Sequence, residues 1–236
     1  MAGLLTPPRR YGSELLDSEN EDADLVLRSV RDITRSNTVF RGKHAAVAEL
    51  SLHFGKLPQH ATLLDVGTGL GDVPRAASRA ARAAGITLET IGLDAAEILA
   101  ATSRDAVTFA ICASGLQLPF ANASVDIVMC SQTLHHFRGE EEATLLREMD
   151  RVARVAVVVS DLERSWIAAA GFWLASFPLG FHPVTRHDGV LSVLRGYTPA
   201  ELSRAIANAT GTTPVVSRRL GFRVTTSWTP TGRLAT

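Results

Sequence analysis

Chemistry in this chain gathers first around one short stretch. Leu63-Leu64-Asp65-Val66-Gly67-Thr68-Gly69-Leu70-Gly71 is an apolar run that breaks into a glycine loop. Glycines at 67 and 69 let a ligand approach the backbone closely, and a helix beginning after the loop offers free N–H groups and the positive end of its dipole. A second acid, Asp94, closes the next apolar run. In doubly wound folds an acid at that place accepts hydrogen bonds from the ribose of an adenosine ligand. Dinucleotide enzymes usually space these glycines G-x-G-x-x-G; here the spacing is G-x-G-x-G, with Asp65 before it.

Histidines supply the candidate proton carriers. His135 and His136 follow the apolar run Val125–Cys130, and His136 is the first candidate for a general base. Arg186-His187-Asp188-Gly189 reads as a loop, in which His187 and Asp188 form either an acid–base pair or a turn shaped by Asp-Gly. Metal binding by His182, His187 and Asp188 is not expected, because no further ligand cluster accompanies them.

The elements that must hold these groups follow from periodicity. Apolar runs at Thr62–Val66, Leu88–Leu93, Val107–Cys112, Val125–Cys130 and Val155–Ser160 alternate with helical patterns starting near Gly71, Ala95 and Glu140. That alternation marks βαβ units and a parallel sheet. Two last strands are expected over Pro214–Arg218 and Phe222–Trp228, giving an α/β, doubly wound, Rossmann-like sheet of seven strands. Thr198-Pro199-Ala200-Glu201 spells a helix start, with Thr as N-cap, Pro at N1 and Glu at N3. Residues 1–60 read as a helical extension and 61–236 as the main domain. Within the extension Val26, Val30 and Ile33 recur at helical spacing, a second helix is expected across Ala45–Phe54, and the six carboxylates of Glu14–Asp24 read as a solvated helix start or loop.

Composition narrows the partners. Formal net charge is +0, so the chain lacks the positive field that draws proteins onto nucleic acids or anionic membranes. Cys112 and Cys130 each end an apolar run and read as small core residues rather than a disulfide or metal pair. The first ten residues hold no apolar signal segment, which suggests a cytoplasmic protein. Ser165–Phe181 is apolar but too short for a span and is interrupted by Pro178 and Gly180. Its Trp166, Phe172, Trp173, Phe177 and Phe181 form either a core helix or the wall of a site for an apolar acceptor.

The loop from Asp65 to Gly71 resembles motif I of the class I methyltransferases, D/E-x-G-x-G-x-G. Ile91-Gly92-Leu93-Asp94 looks like motif II, Leu118-Pro119-Phe120 resembles the L-P-F after strand 3, and Ser124-Val125-Asp126-Ile127-Val128 resembles the opening of strand 4. Leu134-His135-His136-Phe137 matches the L-H-H-F beyond that strand, and Glu148–Val152 resembles the helix before strand 5. The resemblance spans about residues 61 to 160 and is closest to the ubiquinone- and menaquinone-biosynthesis branch of small-molecule methyltransferases. It departs from the pattern twice. Ala113-Ser114 stands where the family often has Gly-Asp, and no Pro-Gly-Gly turn precedes strand 5.

The resemblance implies S-adenosylmethionine as cofactor and S-adenosylhomocysteine as product. It places Asp65, Gly67, Thr68, Gly69, Asp94, Ala95, Ser114, Gly115 and Ser131 around the cofactor, the histidines after strand 4 beside the methyl group and the N-terminal helices over the cleft; His136 is the first candidate base and His187 the second. The expected reaction is methyl transfer to an oxygen, less readily a carbon, of a small hydrophobic aromatic, polyketide or quinone-like metabolite. An RNA methyltransferase and a non-catalytic cofactor-binding module are the alternatives, and the oligomeric state, monomer or homodimer, stays open.

Overall fold

A computed structural model describes residues 5–12 and 23–233. Most of the acidic stretch Glu14–Asp24 lies outside the described residues. The chain runs α1 (Ala23–Val39), α2 (Gly42–Ser51), β1 (His60–Val66), α3 (Asp72–Ala83), β2 (Thr87–Asp94), α4 (Glu97–Ser103), β3 (Phe109–Cys112), β4 (Val125–Ser131), α5 (Glu140–Val152) and β5 (Ala153–Leu162). There follow α6 (Trp166–Ser176), α7 (Pro183–Arg195), α8 (Pro199–Thr210), β6 (Ser217–Arg219) and β7 (Arg223–Trp228).

The seven strands form one sheet in the order β3-β2-β1-β4-β5-β7-β6. β1 pairs in parallel with both β2 and β4, and β7 alone runs against its neighbours. Because the strand order reverses between β1 and β4, the connecting loops part there and leave a crevice at the strands' carboxyl ends.

Burial on both faces explains the nearly continuous apolar runs. Leu64, Val66, Val128, Cys130, Val157 and Val159 point to one face and pack with Leu145, Leu146 and Met149 of α5 and Leu202 and Ile206 of α8. Leu63, Ile127, Met129, Ala156 and Val158 point to the other, against Ala46 and Leu50 of α2 and Val73, Ala77 and Ala81 of α3. Thus α2 is part of the layer that covers the sheet, whereas α1 stands over the crevice.

The expected strand cores recur, and α8 begins with the full capping box of Thr198 and Glu201. α5 passes into β5 with no intervening turn, as the missing Pro-Gly-Gly foreshadowed. β3 starts two residues late, because the backbone N–H of Val107 still donates to Ser103 O at the exit of α4. Pro214–Val216 stay outside β6, where the carbonyls of Pro214 and Val215 accept from Ser203 Oγ and Thr226 Oγ1 instead. Cys130 is buried, but Cys112 is exposed, because β3 is an edge strand and its last residue has no layer above it. Both cysteines are free.

The larger correction concerns residues 186–189. They form a turn of the helix α7 and no loop. Gly189 is required there by close approach: a Cβ would lie 2.2 Å from the Phe172 ring of α6. The Asp-Gly pair that mimics a turn signal is thus a notch for an aromatic ring. No helix among the described residues is long and apolar enough to cross a membrane.

Gly189→Ala should therefore lower stability by about 1–2 kcal/mol through overpacking. In a Phe172→Ala background the same change should stabilise, by up to about 1 kcal/mol of helix propensity. Thermal melts of the four proteins in that cycle check the reversal of sign.

Candidate active site

At the strand-order reversal lies a cavity of about 950 Å³. Its floor is the loop after β1. Gly67 takes φ +74°, and a Cβ on it would meet the Thr133 side chain at 2.3 Å, so the β1 and β4 loops touch through the missing side chain. Asp94 Oδ2 accepts from Gly69 N at 3.0 Å and Oδ1 from Ala96 N at 3.1 Å, which ties the loop after β1 to the end of β2.

This floor carries a concentration of acid. Asp65, Asp72 and Asp94 all line the cavity. Asp65 is buried; its Oδ2 accepts from Thr68 Oγ1 at 3.0 Å, while Oδ1 has no partner. Burial, with Asp72 and Asp94 adding repulsion, pushes the Asp65 carboxyl up to about 8. Burial also raises Asp72 and Asp94, opposed by Lys43 at the former and by the backbone N–H of Gly69 at the latter. A pyrophosphate would meet a floor of acids with few cations to receive it. A ligand with a cationic amine or sulfonium and a ribose would relieve them. This set of acceptors therefore fits an adenosyl sulfonium cofactor.

Of the expected cofactor residues, Asp65, Gly67, Thr68, Gly69, Asp94, Ala95, Gly115 and Ser131 line the cavity together. The Ser131 Oγ is buried without a partner. Ser114 is not part of the lining; it is exposed, and its Oγ accepts from Leu116 N at 3.2 Å within its own turn.

The roof is apolar. Val26, Val30 and Ile33 of α1 face the cavity with Phe40, Ile167, Ala168 and Phe172. The buried residues of α1 are polar: Ser29 and Asp32 are not part of the lining, whereas Ser36 and Asn37 also line the cavity. Asp32 Oδ2 accepts from His182 N at 3.0 Å and Thr185 Oγ1 at 3.3 Å, and Ser29 Oγ accepts from Thr185 Oγ1 at 3.0 Å. Hydrogen bonds to the start of α7 thus hold α1, and its apolar stripe is left for whatever fills the cavity.

The two histidines beyond β4 have different surroundings. His135 is buried, and its Nδ1 lies 2.7 Å from Asp161 Oδ1 at the end of β5. Its backbone N–H donates to Asp161 Oδ2 at 3.2 Å, while Nε2 has no partner. Asp161 is wholly buried; burial raises its carboxyl, but His135 and the Leu162 N–H outweigh this and hold it below the usual range. His136 is exposed, stacks on His135 with centroids 4.4 Å apart, and has Nδ1 3.4 Å from Arg195 Nη1. Both rings line the cavity. His187 does not: its ring sits on the solvent side of α7, Nδ1 2.8 Å from Asp188 Oδ1. An α-helical course between Pro183 and Arg195 turns it away from the crevice.

The His135–Asp161 pair is the arrangement the sequence left unassigned. Its only signal was an acid directly after the last parallel apolar run, and nothing in sequence joins that acid to one of two adjacent histidines.

With the geometry set, comparison with known proteins gives a domain match and a shared fold. Residues 64–158 match the family model described as methyltransferase domain. No curated protein matches the chain. Among solved structures, a SAM-dependent methyltransferase from Thermotoga maritima superposes with TM-score 0.59 at 14% identity, over 89% of this chain and 100% of that one. A SAM-dependent methyltransferase from Aquifex aeolicus gives TM-score 0.55 at 16% identity, over 82% and 96%. The plantazolicin methyltransferase BpumL, solved with SAH, gives 0.57 at 11%, over 80% and 75%. These likenesses show the fold. The matched segment and the shared fold are those of S-adenosylmethionine-dependent methyltransferases.

A raised Asp65 has a consequence for the ligand-free protein. The folded chain keeps a proton that the unfolded chain releases between about pH 4 and about pH 8, so stability should fall as pH rises through that window and level off above it. Thermal melts across a buffer series should give this slope, and Asp65→Asn should make it shallower.

Proposed function

We propose that the protein moves a methyl group from S-adenosylmethionine to an oxygen of a small, largely apolar acceptor, with His135 taking the proton. The carrying observation is His135, which lines the cavity and is paired behind it with the buried Asp161. S-adenosylmethionine supplies a methyl group already activated on a sulfonium, so no metal is needed. What the chain must add is alignment, exclusion of water and removal of one proton.

Each task falls to named groups in this reading. Asp94 would hold the ribose, and Asp65 with the backbone of Gly67 and Gly69 the amino acid end. Ser131 Oγ and the Gly115 backbone complete that wall. Asp161 accepts from the Nδ1–H of His135, which leaves the Nε2 lone pair as the acceptor site for a hydroxyl proton. The imidazolium that forms is stabilised by the same carboxylate. This reading moves the base from His136 to its neighbour, because His136 faces the Arg195 guanidinium and lies toward solvent. His187 has no part in it. Residues 61–236 would form the catalytic domain, and α1 of the preceding extension would exclude water above the acceptor.

The test has two stages. S-adenosylmethionine and S-adenosylhomocysteine should raise the melting temperature while NAD does not, and Asp94→Ala should abolish the shift. With an acceptor found by screening hydroxylated aromatics and quinols, His135→Gln should lower kcat by about 10²–10⁴-fold with cofactor affinity retained. Asp161→Asn should also lower kcat, by freeing the imidazole tautomer. Equal activity of His135→Gln and wild type would remove His135 as base; cofactor binding without turnover on any acceptor would indicate a binding module.

A further inference from the structure

One buried charge takes no part in the reading above. Arg223 opens β7, opposite Leu162 of β5 and one step beyond the Asp161–Val224 pair. Only 5% of its surface is exposed, yet it lines the cavity. Its Nη1 donates to the carbonyls of Gly221 at 3.3 Å and Phe222 at 3.5 Å, and Nη2 donates to Gln132 Oε1 at 3.2 Å. Nε has no partner.

Among the described residues no carboxylate forms an ion pair with Arg223. Asp161 is the anion whose field reaches it, and that carboxylate is committed to His135. Burial pulls the guanidinium down to about 10, which still leaves it charged near neutral pH. A buried cation with only neutral acceptors is costly, and an anion that completes its shell recovers much of that cost.

Gln132 adds a second sign of a built site. It is a non-glycine residue at φ +56°, a conformation that costs energy and persists where the surroundings impose it. Its Nε2 donates to Asn37 Oδ1 on α1 at 2.5 Å, which turns its Oε1 toward Arg223. Cap helix, strained residue and arginine are thus linked at one end of the cavity. The walls beside them are Phe40, Leu162, Phe172 and Phe222.

We propose that Arg223, set by Gln132, is the acceptor-recognising group of the cavity, and that the acceptor is an apolar ring system bearing an anionic oxygen, either a carboxylate or an ionised enol. This rests on the methyltransferase reading and narrows its substrate class. Arg223 positions the acceptor by its charge while the aromatic walls take the ring, and the methylated oxygen lies toward His135.

Calorimetric titration of the S-adenosylhomocysteine complex tests it, with salicylate, lawsone (an enol ionised at neutral pH) and the neutral salicylamide as probes. In the wild type at least one anion should bind about tenfold or more tightly than salicylamide. Arg223→Gln should remove that preference while leaving salicylamide and S-adenosylhomocysteine binding unchanged. Arg223→Lys keeps the charge without the planar fork; it should retain a reduced preference, and it carries the test if the glutamine variant does not fold. Salicylate alone would assign a carboxylate and lawsone alone an enol. Wild-type binding of both anions no tighter than salicylamide overturns the proposal, as does an equal loss of anion and amide in Arg223→Gln. Failure of S-adenosylhomocysteine to bind wild type would instead sink the methyltransferase reading.

Discussion

A carboxylate with no access to water has to be matched on every side, and Asp161 is such a group. It receives the Leu162 N–H, the backbone N–H of His135 and the His135 ring. Those bonds join the carboxyl end of β5 to the turn that follows β4, across the parallel pairing of the two strands. They fix the direction of one imidazole and the path of the loop carrying Thr133, whose side chain fills the space that Gly67 leaves empty. The same charge reaches Arg223 on the next strand. The glycine loop, the buried imidazole and the buried cation are therefore all tied, by contact or by field, to one carboxylate. Removal of a buried partner of this kind costs several kcal/mol.

Around that centre the cavity has two chemical halves. The floor is a crowded set of acids that a cationic ligand would relieve, and the roof is an apolar surface turned toward the cavity. Both are held by structure elsewhere: the floor by the parallel pairing of β1 with β2 and β4, and the roof by the hydrogen bonds of Ser29 and Asp32 to the start of α7. The strain belongs to the site, and the layers on either face of the sheet are conventional.

The sheet was legible in the sequence because strands buried on both faces leave unbroken apolar runs, and the glycine loop was legible because its spacing encodes a backbone path. Other features were not. His187-Asp188-Gly189 carries a turn signal, but the Phe172 ring claims the glycine from outside its own helix, and tertiary packing overrides local preference. His135 and His136 differ only in which ring meets Asp161, a contact between distant residues. Arg223 looked like any strand residue until the fold closed water away from it. Cys112 was misread for the reverse reason: an apolar run on an edge strand has no second layer to bury its end. Ser114 was assigned from its place in a pattern, and its turn points it out of the cavity.

The orientation of α1 gives its residues separate tasks. Ser29 and Asp32 make the contacts that hold it to α7, and Val26, Val30 and Ile33 face the cavity. Substitutions at the valines and the isoleucine would therefore reshape the cavity wall and leave the Ser29 and Asp32 bonds in place. The shape of the cavity wall and the attachment of the helix are thus carried by different residues of one element.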